Sequence, residues 1–170
     1  LESLAVAIGT DPVFNNGNYT EYPSAGMTAF NTIYSAWAFS QEFFRQNGHE
    51  NLGLKSYKQM PDAFRDLIGP NDPNDVLVHI RAWQNADISD NALYNGNFDT
   101  ALKSIKAAGF IMPTSTDQYF WSDDNRDEAA IIPNAIFREI PSTWGHAGGL
   151  LSQNDERRIV DNSIRELLGK

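Results

Sequence analysis

Residues 110–117 read FIMPTSTD, a short apolar run that is closed by a proline and followed by a polar loop. An apolar run of this length between Gly109 and a proline is typical of a strand buried in a parallel sheet. Residues 136–140 read IFREI and alternate as a second strand would, and the acidic segment of about 122–131 between the two runs predicts a helix. The order strand, helix, strand indicates a parallel α/β unit from residue 99 onward.

The remaining apolar spacings predict helices joined by turns. Before residue 99 we expect a helix at the start of the chain, a long helix from Ser24 to Asn47, and a further helix that Asp72 caps. Asp99-Thr100 is expected to cap a short helix ahead of the first strand. A final amphipathic helix is predicted to carry its apolar side chains on one face: Ile159, Val160, Ile164, Leu167 and Leu168.

Composition excludes several classes of function. With 13 basic against 22 acidic side chains the net charge is −9, which argues against a nucleic-acid partner. No apolar run approaches the ~20 residues that span a bilayer, so we expect a soluble protein with no membrane partner and favour the cytoplasm. The chain has no cysteine, and its three histidines lack metal-site spacing, so no metal site is expected. No resident cofactor is expected either.

Asp117 and His146 are the side chains best placed for chemistry. Each follows one of the two predicted strands, and functional groups of parallel sheets collect in the loops beyond the carboxyl ends of the strands. A carboxylate bonded to one imidazole nitrogen fixes the tautomer while the other nitrogen handles a proton, which is the acid and base part of a catalytic triad. The alternative is structural: His146 as a loop histidine bonded to backbone, and Asp117 as a turn former.

The nucleophile of such a triad is missing from the sequence. No serine stands in Gly-x-Ser-x-Gly, and the nearest candidate, Ser24, lacks both the first glycine and a preceding strand. The chain also opens inside a predicted helix, with neither an initiator Met nor a signal peptide. We therefore expect the sequence to be a processed product or a fragment of a longer protein.

Several motifs, in order along nearly the whole chain, resemble one family. They are Asp11-Pro12 with Gly17-Asn18-Tyr19, Asp72-Pro73-Asn74-Asp75 with Arg81-Ala82-Trp83-Gln84-Asn85, Leu102-Lys103-Ser104-Ile105, Met112-Pro113 with Thr116-Asp117-Gln118-Tyr119-Phe120, and Ile140-Pro141-Ser142-Thr143-Trp144-Gly145-His146. Together they resemble the homoserine O-acetyltransferase-like branch of the α/β-hydrolase superfamily.

This resemblance implies that the chain is the C-terminal half of such an enzyme. Residues 1–98 would form a helical lid, and residues 99–170 the C-terminal part of the α/β-hydrolase core, with Asp117 and His146 as the acid and base of the triad. The nucleophilic Ser and the oxyanion hole would come from a complementary N-terminal chain or segment. The implied chemistry is acyl transfer through an acylated Ser, from an ester or from acetyl-CoA, to water or an alcohol.

Two positions depart from the homoserine-specific members of the family. Ala147 stands where they carry an Asp after the His, and Asn31 stands where they carry an Arg in the first lid helix. An amino acid's ammonium and carboxylate would then lack charged partners, which a buried site penalises. The resemblance therefore favours a carboxylic ester hydrolase, or an acetyltransferase for another alcohol, with Asn31, Trp144 and Ala147 at the substrate pocket.

Two alternatives stay open at this point. The protein could be a genuine homoserine O-acetyltransferase, or a non-catalytic module of the same fold that binds a ligand without a nucleophile. A homodimer formed through the lid helices is a further expectation of the resemblance.

Overall fold

The computed structural model describes residues 1–68, 71–150 and 153–169. Its helices are α1 (Glu2–Gly9), α2 (Ser24–Ala38), α3 (Gln41–Arg45), α4 (Met60–Ile68), α5 (Pro73–Gln84), α6 (Phe98–Lys103), α7 (Ser122–Ile131) and α8 (Asn154–Leu167). Its strands are β1 (Gly109–Ile111) and β2 (Ala135–Phe137). Short 3₁₀ turns lie at Pro12–Gly17, Gly48–Leu52, Tyr57–Gln59 and Gly145–Leu150. The predicted α/β class is confirmed.

The two strands pair in parallel across the α7 crossover, as the sequence predicted. Gly109 lies opposite Ala135 and Ile111 opposite Phe137. The pairing continues irregularly beyond both strands, where a parallel bridge joins Thr114 to Ile140. The strand β1 is as long as its predicted run, 110–112, whereas β2 is shorter than the predicted run 136–140. Pro113, which has no N–H to donate, interrupts the regular pairing beyond β1. This register places the loops that carry Asp117 and His146 next to each other.

The chain divides into two compact units. Unit 1 consists of Leu1–Trp37 and Asn47–Ala86, and unit 2 of Ala38–Gln46 and Asp87–Lys170. The core of unit 1 joins side chains of α1, α2 and α5 with the first 3₁₀ turn: Leu4, Ala5, Ile8, Phe14, Met27, Phe30, Val76 and Ile80. Full burial stabilises each large side chain of such a core by about 1.5–3 kcal/mol. The predicted division into a lid (1–98) and a core part (99–170) stays a prediction about the complete protein.

The start of α5 confirms the cap expected at Asp72. Its carboxylate accepts a hydrogen bond from the backbone N–H of Asn74 at 2.8 Å, while Pro73 occupies the first helical turn. The Tyr19 hydroxyl also donates to this carboxylate at 2.6 Å. That hydrogen bond raises the pKa of Tyr19 to about 12 and lowers the pKa of Asp72. The two sequence motifs that contain Tyr19 and Asp72 are thus bonded to each other within unit 1.

Two predicted helix boundaries were wrong. The helix from Ser24 does not continue to Asn47: α2 ends at Ala38, and Ser40, in an extended conformation, caps the separate helix α3 by accepting a backbone N–H at 3.0 Å. Serine competes with helical backbone bonds in this way, so it favours a cap over a helix interior. At α6 the cap is Asn97 rather than Asp99, because the Asn97 side chain accepts the N–H of Thr100 at 2.9 Å.

Helix α8 leaves most of its apolar face uncovered. Ile164, Leu167 and Leu168 are exposed, whereas the buried side chains of the helix are Glu156 and Ser163. Ile136 on β2 is exposed as well. Among the described residues, no helix combines the length and apolar character that crossing a membrane requires.

Candidate active site

Asp117 and His146 form a hydrogen-bonded pair in unit 2. The Asp117 Oδ2 atom lies 3.0 Å from His146 Nδ1. The carboxylate side chain is only 7% exposed, while the imidazole is 36% exposed. The pair therefore has a buried acid and a base that remains open to solvent, as a proton-transfer site needs.

Asp117 is held as a carboxylate by its own loop. Its Oδ1 atom accepts backbone N–H bonds from Tyr119 at 2.7 Å and from Phe120 at 3.1 Å. Burial raises the pKa of the Asp117 carboxyl, but the hydrogen bonds from His146 and from these two N–H groups outweigh burial and lower the pKa below its ordinary value. The carboxylate is thus charged and oriented at neutral pH.

This geometry assigns different tasks to the two imidazole nitrogens. A carboxylate at Nδ1 favours a proton on that nitrogen, which leaves Nε2 as the basic atom. Among the described residues, no hydrogen-bond partner occupies Nε2. The ring of Tyr119 packs edge-on against the imidazole with centroids 5.0 Å apart, and the ring of Phe120 lies at 5.5 Å. The orientation of the imidazole is therefore fixed by one charged contact and two aromatic contacts.

Two threonines tie the loop of Asp117 to the loop of His146. Thr116 Oγ1 donates to the Ser142 carbonyl at 2.7 Å and accepts the Gly145 N–H at 3.0 Å. Thr114 Oγ1 donates to the Gly145 carbonyl at 2.6 Å. Neither threonine was among the predicted site residues, although both stand between β1 and Asp117, and that position was the signal that could have found them.

Gly145, immediately before the histidine, is required by both its conformation and its surroundings. Its φ is +63°, in the left-handed region that favours glycine. A Cβ there would lie 2.7 Å from the backbone nitrogen of Ser40 and 3.0 Å from the carbonyl oxygen of Ala38. The break between α2 and α3 thus packs directly against the His146 loop.

The three residues predicted to line a substrate pocket belong to different units of the chain: Trp144 and Ala147 to unit 2, and Asn31 to unit 1. Trp144 and Ala147 flank the histidine and are both buried; the Trp144 indole packs against Phe43, with ring centroids 5.2 Å apart. Asn31 is buried in unit 1, where its amide donates to the Met27 carbonyl at 2.8 Å. Their contact with a substrate stays a prediction.

The other two histidines lie away from this pair in the sequence and in different surroundings. His49 is buried in a 3₁₀ turn of unit 1, and His79 is exposed on α5. Within the described residues, no group of three or more His, Cys, Asp or Glu side chains converges as metal ligands would.

A parallel strand, helix and strand with an Asp-His pair at the ends of the strands is the arrangement expected of the C-terminal part of an α/β-hydrolase core. Known proteins with similar sequences include enzymes of this fold class. The chain is 37% identical over 170 residues to an ethyl acetate hydrolase from Pseudomonas veronii, with 98% of this chain and 48% of that protein covered. It is 27% identical over 172 residues to a homoserine O-acetyltransferase from Nostoc punctiforme, with 95% and 48% covered.

A solved structure shows the same fold. The structure of the acetyl esterase MekB matches with a TM-score of 0.92 and 34% identity, over 99% of this chain and 49% of that one. No protein-family model matches the chain. The chain belongs to the homoserine O-acetyltransferase-like branch of the α/β-hydrolase superfamily and corresponds to the C-terminal half of these proteins. It spans about half the length of the curated relatives it matches.

Proposed function

We propose that the complete protein is a serine-dependent ester hydrolase to which this chain contributes the acid, Asp117, and the general base, His146. The observation that carries the proposal is the bond of 3.0 Å between the buried Asp117 carboxylate and Nδ1 of a partly exposed imidazole. The nucleophilic Ser belongs to a segment that precedes these residues in the complete protein.

In the proposed reaction His146 accepts and returns a proton in each of the two half-reactions. Nε2 takes the proton of the Ser hydroxyl as its oxygen attacks the ester carbonyl carbon, and the proton passes to the alcohol oxygen when the ester bond breaks. Water then attacks the acyl-enzyme, gives its proton to Nε2, and releases the carboxylic acid as the Ser hydroxyl is restored. Asp117 stays ionised throughout and stabilises the imidazolium that forms in each half-reaction.

Short acetyl esters are the proposed substrate class. Relatives named as an ethyl acetate hydrolase and an acetyl esterase match this chain at 37% and 34% identity, whereas the homoserine acetyltransferase matches at 27%. At the two positions where homoserine enzymes carry charge, the neutral Ala147 is buried and the amide of Asn31 already donates to a main-chain carbonyl. Acetyl-CoA would serve as an alternative acyl donor in the first half-reaction, in place of the ester.

The exposed apolar surface of unit 2 supports a complementary N-terminal segment. Ile136 on β2, together with Ile164 and Leu167 on α8, is exposed although a hydrolase core buries both faces of a parallel sheet. The relatives are about twice as long as this chain, which is length enough for the further strands and the Ser turn. A homodimer through the lid helices and a cytoplasmic location stay predictions from sequence.

The test uses the complete protein, including the segment that precedes Leu1. Initial rates would be measured for hydrolysis of p-nitrophenyl acetate and ethyl acetate, and for acetylation of homoserine by acetyl-CoA. Faster ester hydrolysis supports the proposal. Dominant homoserine acetylation would identify a homoserine acetyltransferase instead, and the absence of both activities in a folded protein would favour a binding module.

A further inference from the structure

Glu156 is a buried carboxylate outside the Asp-His pair. It lies in the first turn of α8, in unit 2, and only 3% of the residue is exposed. Its Oε1 atom accepts a hydrogen bond from the Ser142 hydroxyl. Within the described parts of the chain, its Oε2 atom has no hydrogen-bond partner. A buried carboxyl oxygen without a hydrogen bond costs free energy, so the bond to Ser142 is the contact that holds this side chain in place.

The hydroxyl that Glu156 holds is connected to the histidine loop. Ser142 Oγ accepts the backbone N–H of Trp144 at 3.0 Å, two residues before His146. Because the Ser142 hydroxyl donates its proton to Glu156, a lone pair of the hydroxyl oxygen faces the Trp144 N–H and accepts its hydrogen bond. Removing the carboxylate would free the hydroxyl to rotate and would release this bond.

The loop around Ser142 is tightly packed. It therefore has no room to shift and restore a hydrogen bond that the Ser142 hydroxyl has lost. A Cβ added at Gly148 would lie 2.6 Å from Ser142 Oγ, and the Ser142 carbonyl already accepts hydrogen bonds from Ser115 and Thr116. The loop 142–148 is thus anchored to the Asp117 loop on one side and to Glu156 on the other.

We propose that Glu156 is a positioning residue for His146, acting through the Ser142 hydroxyl and the Trp144 N–H to keep Nδ1 of the imidazole against Asp117. This inference rests on the proposed hydrolase function. A carboxylate on the last helix would then set the geometry of the general base without touching substrate.

The test compares Glu156→Ala with Glu139→Ala in the complete protein. Glu139 is the control because it also accepts a serine hydroxyl, that of Ser122, on the α7 side of unit 2, although it is half-buried and also pairs with Arg126. With p-nitrophenyl acetate we expect Glu156→Ala to lower kcat about 10- to 100-fold with KM unchanged, the scale of a small misplacement of a reacting group. Glu156→Gln, which keeps an acceptor oxygen for Ser142, should restore most of kcat.

A double-variant cycle separates positioning from general destabilisation. If Glu156 acts through His146, adding Glu156→Ala to His146→Ala causes no further loss of kcat. A loss of the same size in that background, or a kcat equal to that of Glu139→Ala, would overturn the proposal. Should Glu156→Ala fail to fold, Ser142→Ala removes the same link. An unchanged kcat in Ser142→Ala would likewise overturn the proposal.

A second readout does not depend on hydrolysis. Exchange of the His146 Nδ1 proton with solvent, followed by NMR, should be faster in Glu156→Ala than in the wild-type protein, because a displaced imidazole loses its bond to Asp117. Unchanged exchange overturns the positioning role. Absence of ester hydrolysis in the wild-type protein would instead count against the proposed function, so the two failures are distinguishable.

Discussion

Replacing Gly145 by alanine tests whether the His146 loop is held as tightly as its contacts indicate. The added methyl group meets main-chain atoms on the opposite side, 2.7 Å from the nitrogen of Ser40 and 3.0 Å from both the Ala38 oxygen and the Phe39 carbonyl carbon. Main-chain atoms cannot rotate away as the end of a side chain can. The φ of +63° adds conformational strain for any residue with a Cβ.

The size of the effect follows from these two terms. A non-glycine residue in the left-handed region costs about 1–2 kcal/mol. Overpacking against fixed atoms typically costs about 1–3 kcal/mol more. The free energy of unfolding should therefore fall by about 2–5 kcal/mol, a large part of the ~5–15 kcal/mol that stabilises a typical domain.

Urea unfolding of the complete protein, together with turnover of p-nitrophenyl acetate, measures both consequences. Gly149→Ala is the matched control, because it lies in the same loop and a Cβ there meets nothing within 4 Å. We expect the control to unfold within about 0.5 kcal/mol of wild type. Gly145→Ala should unfold much earlier and turn over more slowly where it is still folded. Equal urea midpoints for the two variants would refute the packing argument.

Two further predictions concern unit 1 and the acid of the pair. Gly26→Ala should destabilise by about 1–3 kcal/mol despite the helical preference for alanine, because its Cβ would lie 2.9 Å from that of Asp11; Gly9→Ala, with open space, should not. Burial raises the pKa of the Asp117 carboxyl, but its hydrogen bonds outweigh burial and lower that pKa below the ordinary value of 3.8. The stability that ionised Asp117 adds to the fold is therefore present above pH 3.8 and is lost as the pH falls through the folded-state pKa. Urea midpoints should therefore drop more steeply on acidification in wild type than in Asp117→Asn, and equal slopes would contradict this.

Much of the site was predictable because its signals are local. The apolar run at residues 110–112 and the alternating run at 136–140 indicated two strands, and the parallel order followed from the helix between them. Asp117 and His146 each follow one of these strands. Because parallel strands end at the same edge of a sheet, the two side chains were expected to lie close together. The structure brings this pair to hydrogen-bond distance.

The missed features depend on contacts between segments far apart in sequence. The α2 helix was predicted to run through Ser40, because apolar residues continue at helical spacing, but the serine caps a new helix and donates to the Thr143 carbonyl. Glu156 stands in the charged run 155–158 and by composition belongs on a solvated surface. Only tertiary packing, which no local pattern encodes, buries it against Ser142.

The most direct test of the central claim is the turnover of p-nitrophenyl acetate by His146→Ala in the complete protein. His79→Ala is the control, since His79 is an exposed histidine on α5. Because triad members act as a unit, we expect His146→Ala to lower kcat by about 10³-fold or more and His79→Ala to leave it unchanged. If folded His146→Ala keeps kcat within a few-fold of the His79→Ala value, His146 is not the general base.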